Sequence, residues 1–336
     1  MLQNDKASGL CQARKGGNVM HNQMPRDEEY MNRLKTALFR QYGIRTLEIT
    51  PAKRGYYGET WKIRGDADCY FLKIDSFPFH QKKFRGGLSA IEYLCKNGID
   101  FVGKIIKTRE GGFCFNFDTA LAGLFEWVDG ENIETDETKA PEYQMLCKIY
   151  RLTKPGLEIP AASFSDDSAV RFYEQWEALK KAPQTGANHL VLSTFACFSE
   201  EIAHCASRLS QLARRCQADN GDFYLTNGDA GGNFFTGNGR NYIFDWDEAM
   251  YAPIERGAWV MGCYDWARKL FNETLKENGI LYELRPERLA FYCYHMYFFY
   301  LGEFMKVHPI SDKSERIKDY FENGWIKSRI RFADAL

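Results

Sequence analysis

Two aspartates sixteen residues apart, Asp229 and Asp245, frame the stretch that most restricts what this chain can become. An apolar run ends at Leu225-Thr226, and Asn227-Gly228-Asp229-Ala230-Gly231-Gly232-Asn233 follows as a loop of small and polar residues. Phe234-Phe235 opens a second apolar run, and Thr236-Gly237-Asn238-Gly239-Arg240 is a Gly-rich turn. Asn241-Tyr242-Ile243-Phe244 then leads into Asp245-Trp246-Asp247. Short apolar segments on either side of an Asn-Gly turn predict a hairpin. The pattern therefore holds a carboxylate, a carboxamide and a second carboxylate at the ends of short strands.

Those three groups suit phosphoryl transfer from a magnesium nucleotide. One carboxylate, Asp229, can orient an attacking hydroxyl; Asn233 and Asp245 are hard oxygen donors for Mg²⁺ against phosphate. The plainer reading is that Asp229 and Asn233 stabilise a turn and Asp245 caps a strand. Their order, with flanking strands and an intervening hairpin, favours the site. Asp247 and Glu248 add negative charge, suited either to a cationic acceptor or to supporting the groups beside them.

A nucleotide also needs a cation for its phosphates. Lys73 lies inside the apolar run Tyr70-Phe71-Leu72-Lys73-Ile74, where an unpaired ammonium would be costly. Glu92, nineteen residues on in a helical stretch, is its candidate partner, because a strand lysine paired with a helix glutamate is how kinases hold the α- and β-phosphates. Gly55 and Gly58 in Gly55-Tyr56-Tyr57-Gly58 could bring backbone N–H groups close to phosphate, although an ordinary hairpin explains them equally well.

Bulk properties agree with a globular enzyme. The chain has 336 residues, 45% of them apolar and 26% charged, enough for two lobes and a sizeable core. A net charge of -1 lacks the footprint of a general nucleic-acid binder. Its ten cysteines show no metal-knuckle or C-x-x-C spacing, which predicts reduced thiols in a cytoplasmic protein. The apolar run Leu289–Gly302 is shorter than the roughly 18 residues of a spanning helix, and reads as a buried core helix rather than a membrane segment. No His pair, G-x-S-x-G elbow or Walker-type glycine run offers competing chemistry.

Along the chain, residues 1–24 read as a flexible tail and Asp27–Tyr42 as a helix stopped by Gly43. Strand signals follow at Thr46–Pro51, Thr60–Ile63 and Cys69–Ile74, a helix at Leu88–Cys95, and strands at Gly103–Thr108, Phe113–Phe117 and Leu121–Val128. Beyond Asp129-Gly130 the pattern turns helical: Tyr143–Leu152, one long helix through Phe195 and Leu212, Trp259–Asn278, and Glu287–Val307. The expectation is an α+β chain with a β-rich lobe over 25–130 and a helical lobe over 131–336.

Asn227-Gly228-Asp229-Ala230-Gly231-Gly232-Asn233, then Ile243-Phe244-Asp245-Trp246-Asp247-Glu248, then Ala252-Pro253-Ile254-Glu255-Arg256 resembles the catalytic segment of the aminoglycoside phosphotransferase superfamily. The D-W-D-E run followed by A-P-x-E-R is most similar to its spectinomycin phosphotransferase-like branch. The resemblance is specific between Asn227 and Arg256 and loose elsewhere from Thr46 to Phe304. It implies a protein-kinase-like bilobal fold, ATP and Mg²⁺ as cofactors, and a small-molecule hydroxyl as acceptor. By motif position Asp229 would be the catalytic aspartate, Asn233 and Asp245 the magnesium ligands, and Lys73 the phosphate lysine. The hinge backbone at Glu126 and Val128 would bind adenine. Three departures stand out: Asn227 where the family usually has His, a loop one residue shorter between Asp229 and Asn233, and Gly257 where Asp commonly follows Glu-Arg.

An aminoglycoside or aminocyclitol antibiotic is the leading acceptor class. A metabolic kinase of choline, homoserine or a sugar is the alternative within enzymes, and an inert kinase-like binding protein the alternative outside them. Asp247, Glu248, Trp259, Asp265 and Glu303 are candidate acceptor contacts, each also explicable as ordinary helix surface or core.

Overall fold

Strand-prone segments of the first third assemble into one antiparallel sheet. The computed structural model describes residues 26–336 apart from 53–57, 184, 220, 230 and 307–312, so the expected 1–24 tail and Gly55 lie outside it. Contacts divide the chain into two units, one formed by the segment up to Ala161 with Tyr224–Tyr251, the other by Ala162–Phe223 with Ala252–Leu336.

In the first unit, helix α1 (Glu28–Tyr42) begins at Asp27, whose carboxylate accepts from Tyr30 N, and ends at Gly43 with φ +77°. Strands β1 (Glu48–Pro51), β2 (Gly58–Arg64) and β3 (Cys69–Asp75) form a meander. Helix α2 (Pro78–Lys96) then intervenes before β4 (Ile105–Ile106), β5 (Phe115–Phe117) and β6 (Ala120–Glu126). The sheet order is β1-β2-β3-β6-β4, with β5 also on β6. Strands β4 and β5, which flank Glu110-Gly111-Gly112, thus each pair with β6. Leu34 and Leu38 of α1 cover Trp61, Ile63, Leu72, Phe115 and Leu124 in the sheet's core.

Past Glu126 the unit continues with β7 (Gly130–Asn132) and α3 (Lys139–Tyr150). The chain re-enters through β8 (Tyr224–Thr226), the hairpin β9 (Phe234–Gly237) and β10 (Arg240–Ile243), and β11 (Met250–Ala252). The hairpin turn places Asn238 at φ 51° and Gly239 at φ 72°, the doubly positive conformation that matches strand twist. Strand β7 pairs with β9, and β11 with β8.

The second unit is helical: α4 (Asp167–Lys181), α5 (Gly186–Cys197), α6 (Ser199–Ala218), α7 (Glu255–Gly262), α8 (Asp265–Glu277), α9 (Pro286–Met305), α10 (Lys313–Glu322) and α11 (Ile326–Asp334). Helix α9 is its axis, packing against α4, α6, α7 and α11. Leu289–Gly302 is accordingly a buried core helix, and no helix among the described residues is long and apolar enough to cross a membrane. The single helix expected through Phe195 and Leu212 is two, broken at Phe198, and Trp259–Asn278 is likewise broken near Tyr264. Apolar periodicity runs through both breaks, which is why sequence pattern alone joins them.

Glu255 is fully buried at the start of α7 and accepts from Tyr282 Oη at 2.8 Å and Arg285 N at 2.7 Å. Buried Arg288 donates to Tyr282 Oη at 2.9 Å, so the carboxylate has polar company rather than an apolar wall. The nine cysteines among the described residues are unbridged.

Candidate active site

All the groups singled out around Asp229 and Lys73 fall within the first unit. Lys73 sits mid-strand on β3, opposite Thr60 of β2 and Gly123 of β6. Only 9% of the residue is exposed. Its ammonium donates to Asp245 Oδ1 at 2.9 Å and pairs with Asp247. Burial, the largest influence, pulls its pKa down, but the carboxylates of Asp245 and Asp247 outweigh that and hold it above the ordinary lysine value. Lys73 is therefore a fixed cation.

The structure does not bring Glu92 to Lys73. Glu92 pairs instead with Lys107 at 2.6 Å and with Lys96 one helical turn on, at 3.1 Å. The carboxylate that neutralises the strand lysine comes from Asp247, two residues past Asp245, not from the helix. Burial pushes the Asp247 carboxyl up to about 6 and the charge of Asp245 adds to this, while Lys73 opposes both.

Asp245 follows β10 in the left-handed region, with φ +60°. A non-glycine residue there is strained and persists only when its neighbours over-determine it. They do so residue by residue. Trp246 is buried and donates its indole N–H to Ile243 O at 2.9 Å. Its own carbonyl faces Gly87 of α2, where an added Cβ would stand 2.3 Å from the oxygen. Asp247 is held by Lys73. Glu248 pairs with Lys83 at 2.7 Å and lies 3.4 Å from His80 Nε2. On the other side, the Glu248 carbonyl meets Gly228. Asp247 and Glu248 are thus both engaged in ion pairs at this turn.

Asp229 and Asn233 enclose the short loop. Asn233 Nδ2 donates to Asp229 Oδ2 at 3.2 Å, and Asn233 O accepts from Phe244 N at 3.0 Å, joining the loop to the residue before Asp245. Glu134, which sequence reasoning missed, accepts from Gly232 N across the same loop. Its only sequence signal was a carboxylate just past the β7 segment. Asn132 of β7 donates to Gly232 O at 2.8 Å and completes the frame.

Asn233 and Asp245 fit a hard cation. With the Asn233 amide nitrogen turned to Asp229, its carbonyl oxygen remains a donor, and the Asp245 side chain is 52% exposed with no hydrogen bond at Oδ2 among the described residues. No group of three or more His, Cys, Asp or Glu side chains among the described residues could hold a metal by itself. Mg²⁺ does not need one, since it keeps waters and phosphate oxygens and takes one or two protein ligands.

The remaining expectations meet different surroundings. Gly58 opens β2 opposite Asp75, where a Cβ would stand 1.9 Å from Ile74 O, so close strand approach explains this glycine. Glu126 ends β6 with its side chain on Lys104 at 2.7 Å. The Val128 amide has no hydrogen bond among the described residues. Of the acceptor candidates in the helical unit, Trp259 is buried against Trp325, Asp265 pairs with Arg268, and Glu303 pairs with Lys306.

His80 was likewise not expected from sequence. It is 1% exposed, with Nδ1 2.6 Å from Asp75 Oδ2 and Nε2 facing Glu248. A carboxylate thus stands on each side of the ring, one in hydrogen-bond contact at Nδ1 and one at ion-pair distance from Nε2, a setting that suits the imidazolium. Burial, the largest influence, opposes that charge, but Asp75 and Glu248 overcome it and raise the pKa to about 9. Burial raises the partner Glu248, yet His80 and Lys83 bring it down to about 2. Because the folded His80 value lies above its unfolded 6.5, this contribution is complete below pH 6.5 and disappears as pH rises through 9. Unfolding by urea should show stability falling by on the order of 2 kcal/mol across that window, the full shift being screened where Glu248 reaches water. A flat profile would contradict the charged histidine.

No family model and no curated protein matches this chain. Solved structures do. Spectinomycin phosphotransferase APH(9)-Ia, in complex with ADP and spectinomycin, is 18% identical with a TM-score of 0.69, over 91% of this chain and 98% of that one. Amicoumacin kinase with AMP-PNP and Ca²⁺ is 15% identical with a TM-score of 0.59, covering 92% and 94%. Choline kinase LicA from Streptococcus pneumoniae is 12% identical with a TM-score of 0.59, covering 92% and 99%. With its antiparallel N-terminal sheet and helical C-terminal part, the chain shares the kinase-like fold of these solved phosphotransferases and kinases.

Proposed function

We propose that this protein is a cytoplasmic ATP-dependent O-phosphotransferase acting on a hydroxyl of a small molecule, with an aminoglycoside or aminocyclitol as the favoured acceptor class. The observation that carries the reading is the assembly, within one unit, of Lys73, Asp229, Asn233 and Asp245. The solved structures that share the fold and contain ADP, AMP-PNP or spectinomycin support it.

Mg²⁺, when bound, would neutralise charge on the phosphate oxygens, and Asn233 and Asp245 are the residues that would hold it. Lys73, a permanent cation at the same place, binds the α- and β-phosphates. Val128 offers an unengaged amide to the adenine edge. Asp229, beside Asn233, orients the acceptor hydroxyl and takes its proton. Catalysis by these residues is positioning and charge placement rather than covalent chemistry.

Thermal unfolding with ATP, with and without Mg²⁺, tests the reading. At about a hundred times its dissociation constant the nucleotide should stabilise by roughly 2.7 kcal/mol. The magnesium-dependent part should vanish in Asp245→Ala. A shift independent of magnesium, or none, would favour an inert kinase-like binding protein. Phosphorylated products identified by mass from a panel of spectinomycin, other aminocyclitols, choline and homoserine would then assign the acceptor.

A further inference from the structure

We propose that His80 is the positioning residue of the metal ligand Asp245, acting through Glu248 to fix helix α2 against the Asp245–Glu248 turn; the proposal rests on the function proposed above. In this chain Glu92 faces Lys107 and Lys96, so the helix is not tied to the site through Lys73. It is tied at its opposite end. His80 and Lys83, in the first two turns of α2, both reach Glu248, and Gly87 lets the helix backbone lie directly on the carbonyl of Trp246.

The bridge is closed at its other side by the strand that carries Lys73. Asp75 lies two residues beyond Lys73, is 1% exposed, and accepts from Phe77 N at 2.9 Å as well as facing His80 Nδ1 at 2.6 Å. Asp75, His80 and Glu248 therefore form a buried anion–cation–anion row running from the end of β3 to the end of the metal turn. Lys73 and Asp247 form a second link between the same two segments. Two parallel links hold Asp247 and Glu248, the last two residues of a four-residue turn whose first residue, Asp245, takes a left-handed conformation.

Removing the imidazole leaves the buried Asp75 and the partly exposed Glu248 without the charge between them. The cost of that repulsion is relieved by moving Glu248, and with it the turn. Lys73 stays in β3, held by sheet pairing on both sides. The proposal thus separates two quantities: nucleotide affinity without metal, carried by Lys73 and the hinge, and the gain in affinity on adding Mg²⁺, carried by Asp245 and Asn233.

The experiment is calorimetric titration of ADP with and without Mg²⁺ into the full-length protein and its His80→Gln and Glu248→Gln variants. His80→Gln should lose about tenfold or more of the magnesium-dependent gain, the usual cost of removing a group that orients a ligand. Its metal-free affinity should remain within about twofold. Glu248→Gln, which keeps the Asp75–His80 pair but breaks the links of both His80 and Lys83 to the turn, should lose the gain as well, and carries the test of the Glu248 end of the row should His80→Gln fail to fold. An unchanged gain in a folded variant overturns the proposal. So does an equal loss with and without metal, which is what general loosening would produce. A wild-type protein that binds ADP with no magnesium-dependent gain overturns the proposed function itself, and this inference with it.

Discussion

Asp229→Ala should lower phosphoryl transfer by about 10²–10⁴-fold while leaving Mg²⁺-dependent nucleotide binding within a few-fold of wild type. The asymmetry follows from what Asp229 touches. It accepts from the Asn233 amide at 3.2 Å, while Lys73 and the turn residues hold Asp245 independently of it. A carboxylate that orients a hydroxyl acts on the acceptor and not on the nucleotide, so its loss appears in the chemical step. Removing Asp245 should do the reverse and weaken the metal nucleotide first. Asp245 is an exposed loop residue, with 52% of its side chain open to solvent, so its truncation should shift the unfolding temperature by only a few degrees. Phosphorylated acceptor quantified by mass, beside calorimetry of Mg·ADP, distinguishes the two roles. Turnover within tenfold of wild type would remove Asp229 from the mechanism.

The sequence made the local part of this site legible. Asp229, Asn233 and Asp245 lie within seventeen residues, joined by a loop and an Asn-Gly hairpin whose turn chemistry is explicit in the residue types. The order of a β-rich part before a helical one was readable because strand signals precede helical periodicity, whereas the kinase-like architecture was implied by the resemblance of residues 227–256 to a known family. What resisted reading was contact across long separations. Lys73 announced that a buried ammonium needed a partner, but nothing local chose between Glu92 and a carboxylate 172 or more residues away. Helix α2 was expected only from Leu88, and the structure starts it at Pro78. Pro78 is at the first helical turn, where its missing N–H costs nothing. Gly86 and Gly87 are there because backbone oxygens of Glu158 and Trp246 come within 2.7 and 2.3 Å of where a Cβ would be. A helix-weakening pair was the trace of close packing against the site. His80 and Lys83 carried no local signal.

Gly228→Ala should destabilise the protein far more than the same change at Gly111, and the difference measures how tightly the catalytic loop is pressed on the metal turn. Both glycines have positive φ, +72° and +83°, so alanine pays the left-handed penalty of about 1 kcal/mol at each. At Gly111 nothing lies within 4 Å of the added methyl, and the penalty ends there. At Gly228 the methyl would stand 1.8 Å from the carbonyl oxygen of Glu248 and 2.8 Å from its carbon. These are backbone atoms of the turn that His80, Lys83 and Lys73 hold in place, so no side-chain rotation relieves the overlap. Overpacking of this kind adds roughly 1–3 kcal/mol or more, giving about 2–4 kcal/mol in all. Gly228 also immediately precedes Asp229, so the displacement that relieves the clash moves the catalytic carboxylate. Activity should therefore fall at temperatures where Gly228→Ala is still folded, whereas Gly111→Ala keeps wild-type turnover. Urea midpoints and turnover for the pair provide the comparison. Equal losses of stability would mean that the loop and the turn are not in contact as described, and the coupling of Asp229 to Asp245 through Glu248 would fall with it.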